Sequence, residues 1–151
     1  MADYMVGALK IRGKVDRVIE FLNENIAGLS IYFDDDSKLI INFLNSDDYS
    51  VFKNSLETTF AASNKASEIN GFENNDVAYI CFDEIKCRHN FETAYFLKAA
   101  QKYGIEFKFH GFDYQREINQ VVEIKDGKVI WDDELMFKDY FWDCLYPFKG
   151  G

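Results

Sequence analysis

Apolar residues recur at two different periods in the first part of the chain, and they predict a strand, a helix and a hairpin. Residues 5–12 alternate apolar with other side chains, which indicates a strand. Residues 14–26 carry apolar side chains at helical spacing, and Gly28 follows as a C-terminal cap of a helix would. Residues 29–33 and 39–44 flank an Asp-rich turn, so we expect them to pair as an antiparallel hairpin.

The second half of the chain repeats this order with one extra strand. Residues 77–85 predict a strand, and residues 91–103 predict a helix that ends before Gly104, with Asn90 as its N-cap. Residues 105–112 alternate again. Residues 120–124 and 128–131 then flank Asp126 and Gly127, a dipeptide typical of two-residue hairpin turns.

The middle of the chain has a weaker pattern. Ser46 is placed to cap a helix whose apolar stripe would be Tyr49, Phe52, Leu56 and Phe60. Residues 61–75 are small and polar, and we interpret them as a weak helix that ends in a loop.

Two β-α-β-β units in succession predict an α+β fold, most simply a ferredoxin-like sandwich with both helices on one face of the sheet. An aromatic C-terminal extension begins at Asp132, and we expect it to pack back onto the domain. With one proline and no linker-like stretch, residues 1–151 are expected to form a single domain.

The opening tract Ala8-Leu9-Lys10-Ile11-Arg12-Gly13, followed by Val18-Ile19-Glu20-Phe21, resembles the YubB-like ferredoxin-fold proteins of plasmids and phages. The tract from Ala99 to Phe107 and the hairpin at Gly127 extend the resemblance, which covers both ends of the chain. The Trp-Cys-Asn-like opening and the Trp-Gly-Thr-like motif of that family are absent. The resemblance implies a mobile-element origin and no catalytic residues.

Composition indicates where in the cell the protein is expected. The chain has 151 residues, of which 48% are hydrophobic, yet no apolar run is long enough to span a bilayer and the first residues do not resemble a signal peptide. The three cysteines form no Cys-x-x-Cys pair. We therefore expect a cytoplasmic protein with reduced thiols.

The net charge of −9 is concentrated in two segments. Residues 34–57 and residues 126–143 each hold six carboxylates against two lysines, a net of −4 in each segment. Acids gathered in this way create a field that steers a basic partner, and neighbouring aromatic residues supply anchors for an interface. The candidate partner-binding residues are Asp34, Asp35, Asp36, Asp47, Asp48, Asp132, Asp133, Glu134, Asp139, Tyr140, Trp142 and Asp143.

These observations predict an acidic, non-enzymatic binding domain without a cofactor or a metal. Its expected partner is a basic protein of the kind that binds nucleic acid. Together with the mobile-element resemblance, this suggests an inhibitor of a CRISPR effector or restriction enzyme that acts by nucleic-acid mimicry. The plain alternative is that the acids only solvate turns. Direct nucleic-acid binding is disfavoured by the net charge, and the protein is expected to be a monomer or a homodimer.

Three other functions stay open. A sheet with exposed aromatic residues would stack bases as RNA-recognition modules do, with Tyr32, Tyr79, Phe82, Phe107 and Phe109 as candidates, although no RNP-like tract is present. An enzyme would be built around Cys87, His89 or His110. The clusters Asp34-Asp35-Asp36 and Asp132-Asp133-Glu134 offer oxygen ligands for a divalent cation, without the spacing of an EF-hand.

Overall fold

The computed structural model describes residues 4–26, 28–43, 49–53, 59–62, 66–70 and 76–151. Within these ranges the chain is an α+β protein, as its pattern predicts. Its elements in chain order are β1 (Tyr4–Lys14), α1 (Val15–Asn25), β2 (Leu29–Phe33), β3 (Leu39–Phe43), β4 (Tyr49–Val51), β5 (Thr59–Ala62), β6 (Ala66–Asn70), β7 (Val77–Arg88), α2 (Thr93–Tyr103), β8 (Glu106–Asp113), β9 (Ile118–Lys125), β10 (Lys128–Met136) and α3 (Tyr140–Asp143).

Five long strands are neighbours in one antiparallel sheet, in the order β10-β9-β8-β1-β7. Strands β5 and β6 pair with the outer side of β7, and β4 pairs with β5. Because β1 pairs with β7 on one side and with β8 on the other, the connection β7-α2-β8 crosses over β1. The first strand of the chain therefore lies inside the sheet.

The hairpin predicted after α1 is present, but β2 and β3 form a two-stranded sheet of their own. The carboxylate of Asp34 closes its turn by accepting hydrogen bonds from the backbone N–H groups of Asp36 and Lys38, both at 2.9 Å. The α+β class is thus confirmed, whereas a ferredoxin-like topology of two matching units is not.

The helix predicted from Ser46 to Phe60 is wrong where the structure describes it. Tyr49–Val51 and Thr59–Ala62 are strands, and Ala66–Asn70 replaces the weak helix expected in residues 61–75. Ser46 and Leu56 lie outside the described residues. These short strands contain β-branched and aromatic residues, and pairing satisfies backbone groups along the edge of β7.

Aromatic side chains fill the core between the sheet and the two long helices. Phe91 stacks on Phe96 at 4.4 Å and on Phe109 at 4.3 Å between ring centroids. The Asn25 side chain joins the helices, since its amide donates to the Tyr103 hydroxyl at 3.1 Å and its oxygen accepts from the Tyr95 hydroxyl at 2.9 Å. Burial raises the pKa of Tyr95 to about 12, so this hydroxyl stays a donor at neutral pH. Both helices are thereby held on one face of the sheet.

For α1 and α2 the predicted helix boundaries agree with the structure to within two residues. Gly104 ends α2 with a left-handed φ of 66°, as expected of a C-terminal glycine. Asn90 is not the N-cap, because α2 begins at Thr93. Its amide instead donates to Glu134 at 2.8 Å, and its oxygen accepts from Arg116 at 2.8 Å.

Gly7 of β1 lies opposite Gly111 of β8, where the two backbones approach too closely for a side chain. A methyl group at Gly7 would collide with the backbone of His110 and Gly111. We expect Gly7→Ala to lower the free energy of unfolding by about 1–3 kcal/mol, because backbone atoms at the centre of a sheet cannot move aside cheaply. Urea unfolding measures the loss. The neighbouring Ala8→Ser, at a half-buried position, serves as the control and should change stability far less.

Candidate functional site

The face of the sheet opposite the helices carries the polar side chains that alternate with the core residues. On β1, Ile11 is buried against the helices, so Lys10 and Arg12 point to the other side. On β8, buried Phe107 and Phe109 alternate with exposed Lys108 and His110 in the same way. We call this the open face.

The C-terminal tail covers one end of the open face. Phe112, Tyr140 and Cys144 form a small second core there. The side-chain oxygen of buried Asn119 accepts from the Tyr140 hydroxyl at 3.2 Å and faces the Cys144 thiol at 3.5 Å. The last residue is also fixed, since Gly151 N–H donates to the Tyr4 carbonyl at 2.8 Å. The tail is therefore an ordered part of the domain, as its aromatic content predicts.

The outer side of this anchored tail is strongly apolar. Met136, Trp142, Leu145 and Phe148 are between 78% and 88% exposed, and the side chains of Phe141 and Tyr146 are also exposed. We call these six residues the C-terminal surface. Phe141 and Phe148 contact each other, with 5.5 Å between ring centroids. Large apolar side chains held in the open by a fixed backbone are typical of a protein-binding surface.

The structure separates the candidate aromatic residues of the tail. Trp142 belongs to the C-terminal surface, whereas Tyr140 is 2% exposed and packs against Asn119 and Phe137. Burial raises the pKa of the Tyr140 hydroxyl, which acts as a hydrogen-bond donor inside the second core. Tyr140 is thus buried in the second core.

The acidic residues of β10 do not form one patch. Successive residues of a strand point to opposite sides, so Asp132 and Glu134 lie on the helix side and Asp133 on the open face. Asp132 accepts from the Gln120 amide at 3.2 Å, and Asp133 accepts from the indole N–H of Trp131. These two carboxylates therefore help to fix the Gln120 and Trp131 side chains.

The two acidic segments also lie far apart. Strand β10 is at one edge of the sheet, whereas the hairpin that carries Asp34, Asp35 and Asp36 packs against α1 and β6 in the other half. Asp47 and Asp48 lie outside the described residues. Asp139 and Asp143 sit at the ends of α3 in the tail, where the Asp143 carboxylate accepts from the Asp139 N–H at 3.2 Å. The described acids thus form separate groups. Asp133, Asp139 and Asp143 are close in sequence to the C-terminal surface, and Asp133 points to the open face, which the tail covers at one end.

A groove crosses the uncovered part of the open face. It consists of two adjoining depressions of about 370 and 300 Å³ that share Lys10, Lys108 and Glu123. Tyr79 lines the first depression and Trp131 the second. Of the proposed base-stacking residues, Tyr79 is exposed here and Tyr32 is exposed on the separate hairpin, while Phe82, Phe107 and Phe109 are buried in the core.

The sequence did not identify Trp131, Lys10 and Lys108 as residues of one groove. The signal was available for the lysines, since polar residues alternate with apolar ones in β1 and β8. The sequence does not show which strands are neighbours, so the meeting of Lys10 with Lys108 becomes visible only in the structure.

The cysteine and histidine candidates do not converge. Cys87 is buried on the helix side of β7 opposite Met5, whereas His110 lies on the open face of β8. His89 is exposed in the loop after β7. Within the described part of the chain these residues form no nucleophile and base pair, and no three His, Cys, Asp or Glu side chains are grouped closely enough to hold a metal ion.

The ring of His110 packs against the second core. Its ring stacks on Phe112 at 4.8 Å, and its Nε2 lies 3.3 Å from the Asn119 amide nitrogen, which donates to it. Burial, and then the charge of Lys149, lower the pKa of His110.

Comparisons with known proteins add no family assignment: no protein-family model, curated protein or solved structure matches this chain. In the residues that the structure describes, no helix is both long and apolar enough to cross a membrane.

The lowered pKa of His110 predicts a loss of stability in weak acid. Its folded pKa lies below the unfolded value near 6.5, so the unfolded chain takes up the proton first as the pH falls. The contribution is present above about pH 6.5 and is lost below it. Urea unfolding at pH 7.5 and pH 5 should show a smaller pH dependence for His110→Gln than for wild type. His89→Gln removes the second histidine and serves as the matched control.

Proposed function

We propose that this protein is a non-enzymatic binding domain that holds a basic protein against its C-terminal surface. The observation that carries this proposal is the tail itself, which is anchored on its inner side and presents large apolar side chains to solvent on its outer side. Leaving such side chains in water gives no folding free energy, so their burial against a partner accounts for them.

The tail has the composition of an interface core. Trp and Tyr are enriched among the residues that contribute most to binding, and Trp142 and Tyr146 are both exposed here. Because Asn119 and the second core fix the backbone, the tail needs little further ordering on binding. A pre-organised surface of this kind binds more tightly than a flexible segment of the same sequence.

Charge gives the expected class of partner. The chain carries a net charge of −9, and Asp133, Asp139 and Asp143 flank the C-terminal surface in sequence. Such a field accelerates association with a basic protein and repels acidic ones. Proteins that bind nucleic acid carry basic surfaces, so the proposed partner is one of them.

The specific form of the proposal is an inhibitor from a phage or plasmid that occupies the basic groove of a CRISPR effector or restriction enzyme. The resemblance of both chain ends to the YubB-like ferredoxin-fold proteins supports this origin. The crossover of β7-α2-β8 over β1 supports a ferredoxin-like ancestry of the sheet. Since the acidic groups are separated, the mimicry would use the acids near the tail and not those of the hairpin.

The apolar part of the proposal predicts that Trp142→Ser combined with Leu145→Ser abolishes partner capture. Both side chains are highly exposed, so the double variant should fold like wild type. The measurement is affinity capture from nuclease-treated cell lysate, with captured proteins identified by mass spectrometry. Tyr32→Ser, at an exposed aromatic residue on the separate hairpin, is the matched control and should capture the same proteins as wild type. Equal capture by all three proteins would contradict the proposal.

The acidic part of the proposal predicts that reversing negative charges near the C-terminal surface weakens partner binding more than reversing the same number on the hairpin. Asp133→Lys combined with Asp139→Lys should weaken binding of the captured partner at low salt by roughly tenfold, which corresponds to about 1.4 kcal/mol. Asp35→Lys combined with Asp36→Lys changes the net charge equally but lies on the hairpin, and it should have a small effect. If the two double variants weaken binding equally, overall charge and not the C-terminal surface governs association.

A homodimer is the competing occupant of the C-terminal surface. Light scattering of the purified protein at several concentrations measures its mass directly. The proposal expects a 17.6 kDa monomer. A dimer that dissociates in the Trp142→Ser and Leu145→Ser variant would assign the surface to self-association instead.

A further inference from the structure

Lys10 of β1 and Lys108 of β8 are direct cross-strand neighbours on the open face. Like charges directly opposite each other destabilise a sheet, and both lysines are exposed. Lys108 is partly compensated by Glu123 at 3.6 Å, while Lys10 makes no ion pair among the described residues. In a chain with a net charge of −9, a concentrated positive pair in a groove is a local exception that suits an anionic ligand.

The groove continues as a row of side chains across the strands. In register, Cys81 of β7 is followed by Lys10, Lys108, Glu123 and finally Trp131 of β10. Five neighbouring strands at about 4.8 Å spacing place the two ends of this row roughly 19 Å apart. The row is therefore longer than one nucleotide and has its positive charge at the centre.

An aromatic side chain stands at each end of the groove. Tyr79 is 49% exposed and Trp131 is 43% exposed, so both side chains are accessible from solvent. The Trp131 indole donates its hydrogen bond to Asp133, which fixes the ring. Exposed, oriented rings beside a positive groove are the arrangement by which proteins stack the bases of single strands.

Two carboxylates in the groove favour RNA over DNA as the ligand. Glu106 pairs with Arg12, and Glu123 lies beside Lys108. A carboxylate repels phosphate but accepts a hydrogen bond from a ribose 2′-hydroxyl, the group that distinguishes RNA from DNA. The groove thus offers cations for phosphates and acceptors for 2′-hydroxyl groups side by side.

We infer that the open face binds single-stranded RNA across its strands. Lys10 and Lys108 hold backbone phosphates, Tyr79 and Trp131 stack bases, and Glu106 and Glu123 accept hydrogen bonds from ribose. This site is separate from the C-terminal surface, because the tail covers Phe112 and leaves the groove free. Binding through two lysines is expected to show a slope of about −1.4 for log K against log salt concentration.

The test is fluorescence anisotropy with a labelled twelve-residue oligouridine at 50 mM salt. Lys10→Glu combined with Lys108→Glu should weaken binding at least tenfold. Lys53→Glu combined with Lys98→Glu makes the same charge change at two exposed lysines outside the groove, and it should weaken binding far less. Equal losses in the two double variants would overturn the inference, as would the absence of binding by wild type.

The aromatic ends are tested separately. Tyr79→Ala and Trp131→Ala should each weaken binding about fivefold or more, the effect of losing one stacked base, whereas Tyr32→Ala should not. Circular dichroism and thermal melting establish that each variant is folded. The Trp142→Ser and Leu145→Ser variant should keep full RNA binding, so that a failure of the C-terminal surface proposal is distinguished from a failure of this one. Equal affinity for oligothymidine would overturn the assignment to RNA.

Discussion

Strand β1 pairs along its length with β7 on one side and β8 on the other, and this double pairing determines what each face of the sheet presents. Its buried residues Leu9 and Ile11 align with Phe82, Ile80, Phe109 and Phe107 of the neighbouring strands and face the helices. The residues between them must then face the other way. The close approach of Gly7 and Gly111 keeps β1 and β8 in this register at the end where the tail packs. A slip of one residue would bury Lys10 and expose Ile11, at a large cost in free energy.

Buried polar residues join the rest of the chain to this sheet. Gln120 accepts from the backbone N–H of Phe91 at 2.9 Å and so fixes the segment that leads into α2. Asp113, fully buried, pairs with Arg116 at 2.6 Å, and Arg116 also donates to the carbonyl of His89. Asn119 performs the same role for the tail. Each of these groups would be costly to bury without its partner, so their hydrogen bonds specify one arrangement of the loops around the sheet.

Local pattern predicted the elements whose stability is mainly local. The stripe Val15, Val18 and Leu22 faces the core from α1, and Gly104 ends α2, as their spacing indicates. The middle of the chain was mispredicted because Tyr49, Phe52, Leu56 and Phe60 fall at helical spacing, although its described residues pair as strands. Strand β4 pairs with β5, and β5 and β6 pair with β7, a partner distant in sequence, so this pairing and not the local spacing decides the conformation. The same reason explains the site: exposure of Tyr79 and burial of Phe107 follow from the side of the sheet that each faces, whereas composition identifies both simply as aromatic residues.

The arrangement of charge connects the two proposed surfaces. A chain with a net charge of −9 would repel RNA from most of its exterior, so an RNA strand can approach closely only where cations outnumber acids. The groove meets this condition at Lys10 and Lys108, and its neighbour along the open face is the anchored tail with Asp139 and Asp143. The groove is lined by lysines and the outer side of the tail is apolar, so the two proposed surfaces would recognise different chemistry on the same face of the sheet. Both surfaces depend on the alternation of β1 and β8, which leaves one face of the sheet free of helices.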